Sequence, residues 1–78
     1  MTGIRLFSRP DCHLCEVARS LVQTFEPMVE IDTINIEDDL EWVARYGVSI
    51  PVLQRMDTEA ELFWPFDEVQ LTDFLSDC

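Results

Sequence analysis

The 78-residue chain has no lysine and only five basic residues, all of them arginine, against sixteen aspartates and glutamates. Its formal net charge is −11 at pH 7. Nucleic-acid binding depends on basic patches that contact phosphates, and anionic membrane surfaces attract clusters of Lys and Arg. The shortage of positive charge therefore argues against a nucleic-acid partner and against an anionic membrane surface. We interpret the acidic residues as solvated faces of a soluble domain.

The sequence also lacks a long apolar run. No stretch approaches the roughly 18 consecutive apolar residues of a membrane-spanning helix, and residues 1–10 contain no continuous apolar core of a secretory signal. Apolar residues nonetheless make up 47% of the chain, with five Phe and two Trp, which is enough for one small hydrophobic core. No internal repeat or linker interrupts the chain. We expect a single, monomeric, cytoplasmic domain over residues 1–78.

Cysteines are few and odd in number: Cys12, Cys15 and Cys78. An odd count argues against the paired disulfide framework of a small secreted protein. A structural zinc site needs four ligands, but His13 stands between two of the cysteines, where it can hardly reach the same ion. Covalent haem attachment requires His directly after the second Cys, and Glu16 occupies that position. We expect no metal, which leaves a redox pair or two cysteines without chemistry.

The first half of the chain predicts a strand, a helix and a second strand. Residues 4–8 alternate as a strand does. From Cys12 onward apolar residues recur at helical spacing, and Pro27 ends the pattern because the residue before a proline avoids helical geometry. Residues 30–36 are rich in β-branched side chains and predict the second strand. The predicted apolar stripe of the helix comprises Leu14, Val17, Ala18, Leu21, Val22 and Phe25.

A second helix and a hairpin follow. Asp38 and Glu41 predict a capping box at the start of this helix, and Gly47 predicts a left-handed residue at its end. Residues 51–56 and 60–64 predict two strands joined by a tight turn, and therefore an antiparallel hairpin.

The last predicted element is a helix that Asp67 caps, with Gln70 completing a capping box. Its apolar stripe ends at Cys78, which we interpret as a small hydrophobic residue rather than a third redox centre. The order β-α-β-α-β-β-α predicts an α/β fold with a mixed four-stranded sheet. A crossover helix between the first two strands makes them parallel, and the helices cover both faces of the sheet.

The Cys pair lies where the first strand gives way to the first helix. A helix N-terminus has unpaired N–H groups and a partial positive charge, so it stabilises a thiolate. We expect Cys12 to be the exposed nucleophile and Cys15, one turn further on, to resolve a mixed disulfide. Arg9 and a protonated His13 favour the thiolate, whereas the neighbouring acids oppose it. A C-x-x-C at this place in a β-α-β unit indicates a redox pair.

These motifs resemble the glutaredoxin family of the thioredoxin-like fold, and the resemblance covers essentially the whole chain. LFSRPDCHLC (residues 6–15) is similar to the strand and CxxC opening of that family. RYGVSIPVL (residues 45–53) is similar to its short helix and the segment with a cis-proline that follows. The resemblance implies that Pro51 is cis and that the backbone at Ile50 pairs with the substrate.

The same resemblance assigns the other site residues. It implies that Cys12 is the nucleophile and Cys15 the resolving thiol. It further implies that Arg9 meets the carboxylate of glutathione and that the helix start at Asp67 receives the γ-glutamyl group. The candidate catalytic residues are thus Cys12 and Cys15, and the candidate substrate-binding residues are Arg9, His13, Ile50, Pro51 and Asp67.

The chain departs from the family pattern at two places. His13 and Leu14 replace Pro-Tyr between the cysteines, and Phe63 and Trp64 stand where the family has a double glycine. Glycine permits close backbone approach and positive φ angles, which Phe and Trp do not freely permit. We therefore expect weak glutathione-coupled activity and no iron–sulfur assembly with glutathione.

The sequence predicts a small dithiol–disulfide oxidoreductase without a resident cofactor, for which glutathione is at most a co-substrate. Its substrate is a protein or low-molecular-weight disulfide, and its reductant is glutathione or a thioredoxin-reductase system. The alternative is a binding or adaptor domain that retains the fold and a vestigial or regulatory Cys pair. An oxidoreductase needs a reactive Cys12 thiolate, whereas an adaptor needs an exposed apolar patch.

Overall fold

The structure is a computed structural model that describes residues 3–76, so Cys78 lies outside the described residues. The predicted order of strands and helices is confirmed, with one 3-10 turn added after the second strand. The elements are β1 (Gly3–Ser8), α1 (His13–Phe25), β2 (Glu30–Asn35), the 3-10 turn (Ile36–Asp38), α2 (Leu40–Tyr46), β3 (Val52–Arg55), β4 (Glu61–Phe63) and α3 (Glu68–Leu75).

The four strands form one mixed sheet in the order β2-β1-β3-β4. The β1–β2 pair is parallel, as a crossover through α1 requires, and the β1–β3 and β3–β4 pairs are antiparallel. The predicted fold class, a mixed four-stranded α/β sheet, is confirmed. Because β3 runs against β1, the end of β1 and the start of β3 lie at the same end of the sheet.

Helices cover both faces of the sheet, as predicted. Side chains alternate between the faces along each strand, so β1 contributes to two hydrophobic clusters. On one face, Ile4 and Leu6 lie in a cluster with residues of α1 and α3. On the other face, Phe7 joins a smaller cluster beneath the 3-10 turn and α2. The buried members of the smaller cluster are Phe7, Ile36, Tyr46 and Val52.

The apolar stripe predicted for α1 is partly wrong. The buried line runs through Cys15, Ala18 and Val22, at spacings of three and four residues. This line includes the second cysteine, which the predicted stripe left out. Leu21 is half-buried beside it, and the predicted stripe residues Leu14, Val17 and Phe25 are exposed.

Both predicted ends of α2 need correction. Asp39, not Asp38, is the N-cap, and its carboxylate accepts a hydrogen bond from the Glu41 N–H at 2.8 Å. Gly47 is right-handed, with φ −53° and ψ −32°. A Cβ at Gly47 would lie 2.5 Å from the Val43 carbonyl oxygen, so close backbone approach, rather than a left-handed turn, explains this glycine.

The capping box of α3 is confirmed. The Asp67 carboxylate accepts from the Gln70 N–H at 2.8 Å, and the Gln70 side chain accepts from the Asp67 N–H at 3.1 Å. This reciprocal pair fixes where the last helix begins and orients its free N–H groups. None of the helices within residues 3–76 is long and apolar enough to cross a membrane.

Candidate active site

Cys12 is the N-cap of α1. Its backbone is extended, with φ −94° and ψ 101°, and its Sγ accepts a hydrogen bond from the Cys15 N–H at 3.2 Å. A sulfur in this position replaces the side-chain oxygen that usually caps a helix. The N–H groups and the dipole of the helix therefore act directly on this sulfur, and they favour negative charge on it.

Cys12 and Cys15 form a disulfide, with their Cα atoms 5.2 Å apart. The two sulfurs differ in access, because Cys12 is half-buried at the helix start whereas Cys15 is only 4% exposed and belongs to the apolar face of α1. An incoming thiolate therefore reaches the Sγ of Cys12 more easily. A nucleophile must be accessible to substrate, whereas a resolving thiol need only reach the nucleophile, and the access of Cys12 and Cys15 fits these two requirements.

An exposed, mostly acidic rim surrounds the disulfide. Asp11, His13 and Glu16 line a shallow concavity with Cys12. Asp11 has a positive φ of 60°, a left-handed conformation that Asp tolerates better than most residues. The rim thus presents two carboxylates and one imidazole to whatever approaches Cys12.

Arg9 pairs with a carboxylate outside this rim. Its Nε lies 3.9 Å from the Glu37 carboxylate in the 3-10 turn after β2. Within residues 3–76 the same Nε has no hydrogen-bond partner. The positive charge predicted to meet an anionic substrate is therefore partly balanced by Glu37, in an exposed ion pair of the kind that contributes less than about 1 kcal/mol.

The Ile50–Pro51 bond is cis, as the resemblance implied. Phe7 of β1 pairs with Val52 of β3, so Pro51 lies at the sheet end from which β1 leads into the cysteine loop. Pro51 is buried and Ile50 is half-buried. The Pro51 carbonyl accepts from the Trp64 N–H at 3.2 Å, which ties this segment to the end of β4.

An aromatic segment, residues 63–66, borders the same end of the sheet. Phe63 pairs with Val52 and is 47% exposed. Trp64 turns inward and packs edge-on against Phe66, with ring centroids 5.1 Å apart, beside the larger hydrophobic cluster. The Trp64–Pro65 bond is also cis, which the sequence did not predict. Exposed Asp67 follows at the start of α3.

The strand register thus gathers the candidate residues at one end of the sheet. The cysteine loop follows β1, the Ile50–Pro51 segment precedes β3, and the aromatic segment with Asp67 follows β4. Arg9 and His13 flank the disulfide in the chain but turn to different surroundings, since Arg9 faces Glu37 and His13 is exposed. Among residues 3–76, no group of three or more His, Cys, Asp or Glu side chains is placed to hold a metal ion.

A row of hydrogen-bonded polar side chains near the site was not predicted from the sequence. The Tyr46 hydroxyl donates to the Glu61 carboxylate, which also accepts from Gln54 Nε2 at 3.2 Å. Arg5 Nη1 donates to Gln54 Oε1 at 3.0 Å. Burial, then the hydrogen bond to Glu61, raise the pKa of Tyr46 to about 12. The sequence does contain a signal for this row. Arg5, Gln54 and Glu61 are polar residues at strand positions on the same face as Phe7.

Comparison with known proteins agrees with this architecture. The family model described as glutaredoxin-like domain (DUF836) matches residues 3–76. No curated protein matches the chain.

Solved structures match over nearly the whole chain. The X-ray structure of the structural-genomics protein XcR50 from X. campestris is 32% identical, covers 96% of this chain and 97% of that chain, and has a TM-score of 0.84. Protein Ne2328 from Nitrosomonas europaea is 22% identical over 94% of this chain and 89% of its own, with a TM-score of 0.82. A mutant thioredoxin from Halobacterium salinarum is 22% identical over 97% of this chain and 73% of its own, with a TM-score of 0.71.

Proposed function

Because this chain belongs to the glutaredoxin-like domain family, with the thioredoxin-like fold, we propose that it is a dithiol–disulfide oxidoreductase. In this proposal Cys12 is the nucleophile and Cys15 is the resolving thiol. One observation carries it: the Cys12 sulfur is the N-cap of α1, while the sulfur one turn further on is buried within disulfide distance.

The proposed reaction begins from the reduced pair. The Cys12 thiolate attacks one sulfur of a substrate disulfide, forms a mixed disulfide and expels the other substrate sulfur as a thiolate, which takes a proton from solvent. Cys15 then loses its proton and attacks the Cys12 Sγ. This second step forms the Cys12–Cys15 disulfide and releases the second substrate thiol. Two electrons pass from the dithiol to the substrate, and an external thiol reductant restores the reduced pair.

The free N–H groups at the start of α1 supply the main electrostatic help in this proposal. The Cys15 N–H points at the Cys12 sulfur at 3.2 Å in the disulfide form, and we propose that the same N–H stabilises the thiolate in the reduced pair. Asp11 and Glu16 oppose the thiolate, but both side chains are exposed, and exposed charges act weakly through water. We propose that the helix end outweighs the two acids.

Substrate contacts are proposed on both sides of the sulfur. The Ile50 backbone, next to buried Pro51, pairs with the segment that carries the substrate disulfide. His13 lies beside the point of attack. Arg9 and the start of α3 at Asp67 are proposed contacts for the anionic ends of a small thiol such as glutathione.

We propose that glutathione is nevertheless a poor co-substrate. Arg9 is partly balanced by Glu37, and the bulky aromatic segment replaces the double glycine that would let a peptide backbone approach closely. A disulfide in a protein or another low-molecular-weight compound is then the substrate, with a thioredoxin-reductase system as the alternative reductant. No resident cofactor is needed for this chemistry, and a reducing compartment such as the cytoplasm suits it.

Turnover assays run in parallel with a glutathione system and a thioredoxin-reductase system test the proposal, together with the reduction potential of the Cys pair. We expect turnover of a protein disulfide in at least one system. We also expect a potential of about −200 to −270 mV, the range of glutaredoxins and thioredoxin.

An adaptor domain is the second candidate function. Leu14 and Val17 are exposed on the first turns of α1, directly beside the disulfide, and an exposed apolar patch is what a binding surface offers. A potential below about −300 mV, as structural disulfides have, together with no turnover in either system, would favour the adaptor.

A further inference from the structure

Tyr46, at the end of α2, connects three parts of the molecule that border the proposed site. It is only 2% exposed, and its ring stacks on Phe7 of β1 with centroids 4.3 Å apart and an interplanar angle of 20°. Its hydroxyl donates to the Glu61 carboxylate of β4. One side chain thus joins α2 both to the strand that leads to Cys12 and to the strand that leads to the aromatic segment.

The backbone of Tyr46 holds the turn that leads to Pro51. Its carbonyl oxygen accepts from the Ser49 N–H at 2.8 Å and from the Ile50 N–H at 3.1 Å. Ile50 is the residue whose backbone is proposed to pair with substrate. The position of this turn therefore depends on where Tyr46 is held.

Helix α2 has few other anchors. It has seven residues, too few for a stable isolated helix, so packing must hold it in place. Among the described residues of α2, Tyr46 alone is buried, and Trp42 and Val43 are half-buried. A hydrogen bond from a hydroxyl to a carboxylate is charge-assisted and stronger than one between neutral groups.

We propose that Tyr46 is a positioning residue: its hydrogen bond to Glu61 fixes the end of α2, and through it the turn at residues 47–50, in the place where the Ile50 backbone meets substrate. This inference rests on the proposed oxidoreductase function. Tyr46 touches neither sulfur in this role. Its effect appears in substrate affinity and not in the reactivity of Cys12.

Burial, and then the neighbouring carboxylates, keep the hydroxyl a donor by raising the pKa of Tyr46, whereas Arg45 opposes them. Glu61 lies within hydrogen-bond distance and Arg45 lies 5.5 Å from the ring centroid, while Glu59 acts on it more weakly. Since the pKa of Tyr46 is raised to about 12, the hydroxyl keeps its proton throughout the range in which thiol–disulfide exchange is assayed. The link between α2 and β4 is then constant across that range.

Three variants test the link. Tyr46→Phe keeps the ring and its stacking on Phe7 but removes the donor, and Glu61→Ala removes the acceptor. Glu61→Gln keeps an acceptor oxygen for the Tyr46 hydroxyl and should therefore restore the link between α2 and β4. In steady-state reduction of a protein disulfide, we expect the first two variants to raise KM about three- to tenfold, the factor that one net hydrogen bond represents. Glu61→Gln replaces a charge-assisted bond with a neutral one and should therefore raise KM less than either of the other variants, and kcat should change little in all three.

Two further measurements separate positioning from general loosening. The pH dependence of Cys12 alkylation should be the same in all three variants, because the helix end that activates the sulfur is untouched. The double variant Tyr46→Phe, Glu61→Ala should be no worse than Glu61→Ala alone, because Glu61→Ala already removes the bond from Tyr46 together with the bond from Gln54. Thr58→Ala is the matched control, since it removes a hydrogen bond of 3.2 Å to the Ala60 N–H in the hairpin turn and should leave KM unchanged.

Amide hydrogen exchange at Ser49 and Ile50 tests the positioning without turnover. We expect faster exchange in Tyr46→Phe and Glu61→Ala than in Glu61→Gln. Unchanged exchange, or an unchanged KM in a protein that turns over, overturns the positioning role. Absence of turnover in the unmodified protein, with the expected exchange pattern, refutes the proposed oxidoreductase function alone. If Tyr46→Phe fails to fold, the Glu61→Ala and Glu61→Gln pair gives the same comparison.

Discussion

The cysteine loop, residues 9–15, and the aromatic segment, residues 63–66, border the same end of the sheet but differ in what they expose. The loop presents an accessible sulfur among polar and charged side chains at a helix start. The aromatic segment presents one half-exposed ring, Phe63, and turns Trp64 inward against Phe66. The first arrangement suits thiol chemistry, and the second closes off a surface that glycines would leave open.

In the proposed function, the cysteine loop determines reactivity, and the aromatic segment helps to determine which substrates bind. Reactivity depends on local features of the loop, because the helix end and the spacing of the cysteines act within one turn. In the proposed function, recognition depends on how the aromatic segment and the Ile50–Pro51 segment are placed by the register of β3 and β4. The proposed thiol chemistry can therefore stay the same while the choice of substrate changes.

The largest expected effect comes from the cysteines themselves. Cys12→Ser should abolish turnover, because it removes the accessible sulfur. Cys15→Ser should accumulate a mixed disulfide with the substrate, since the buried resolving sulfur is gone. Non-reducing gels and intact-mass measurement after mixing with an oxidised protein substrate distinguish the two outcomes, and the double variant serves as the control. Equal trapping by both single variants would show that the assigned roles are wrong.

Replacing Phe63 tests whether the aromatic segment limits the use of glutathione. Phe63→Gly should raise turnover in the glutathione-coupled hydroxyethyl disulfide assay about tenfold, the worth of one regained hydrogen bond to a charged group. Phe63→Leu is the matched control, because it keeps a bulky side chain at a half-exposed position. Strong glutathione turnover in the unmodified protein, or in Phe63→Leu, would contradict the role given to this ring.

Trp64 should behave differently from its neighbour. Because it packs beside the core and against Phe66, Trp64→Ala should lower the free energy of unfolding by about 2–3 kcal/mol, somewhat below the cost for a fully buried aromatic. Urea unfolding measures this. A stable Trp64→Ala protein with high glutathione turnover would show that both aromatic residues, and not Phe63 alone, exclude glutathione.

A smaller effect is expected from the ion pair between Arg9 and Glu37. Glu37→Gln frees Arg9 and should lower KM for an anionic thiol or disulfide about two- to fivefold at low salt, consistent with an exposed ion pair. The gain should vanish at about 1 M salt, where charges are screened beyond about 3 Å. Glu26→Gln makes the same charge change at the other end of α1. An equal gain in that control would assign the effect to net charge rather than to Arg9.

Local signals predicted the parts of this site that depend on neighbours in the chain. The C-x-x-C at a strand-to-helix junction, and the Asp67–Gln70 capping box, involve residues at most three positions apart, and the structure has both. The predicted N-cap of α2 was wrong by one residue. Asp38 and Asp39 can both cap a helix, and here α2 begins only after a 3-10 turn that ends at Asp38.

Contacts between distant residues were harder to predict. The bond from Tyr46 to Glu61 depends on the register of a three-residue strand, which a short apolar pattern does not fix. The inward turn of Trp64 likewise depends on the room left beside Phe66 in the core. The buried line on α1 was misplaced because helical spacing alone does not say which part of an apolar stripe faces the sheet.

The smallest expected effect is a loss of stability at high pH. It arises from the hydrogen bond between Tyr46 of α2 and Glu61 of β4, the strand that leads into the aromatic segment. The pKa of Tyr46 is raised from 10.0 to about 12 by burial and by the hydrogen bond to Glu61. Below pH 10 the folded and unfolded chains both hold this proton, so the stabilisation is fully present. Above it the unfolded chain releases the proton first, and the stabilisation falls until about pH 12.

The difference in free energy of unfolding between the unmodified protein and Tyr46→Phe should therefore shrink by about 1 kcal/mol between about pH 8 and about pH 10.5. Urea titrations of the disulfide form measure this difference, and a constant value across that range would show that burial and Glu61 do not raise the pKa of Tyr46.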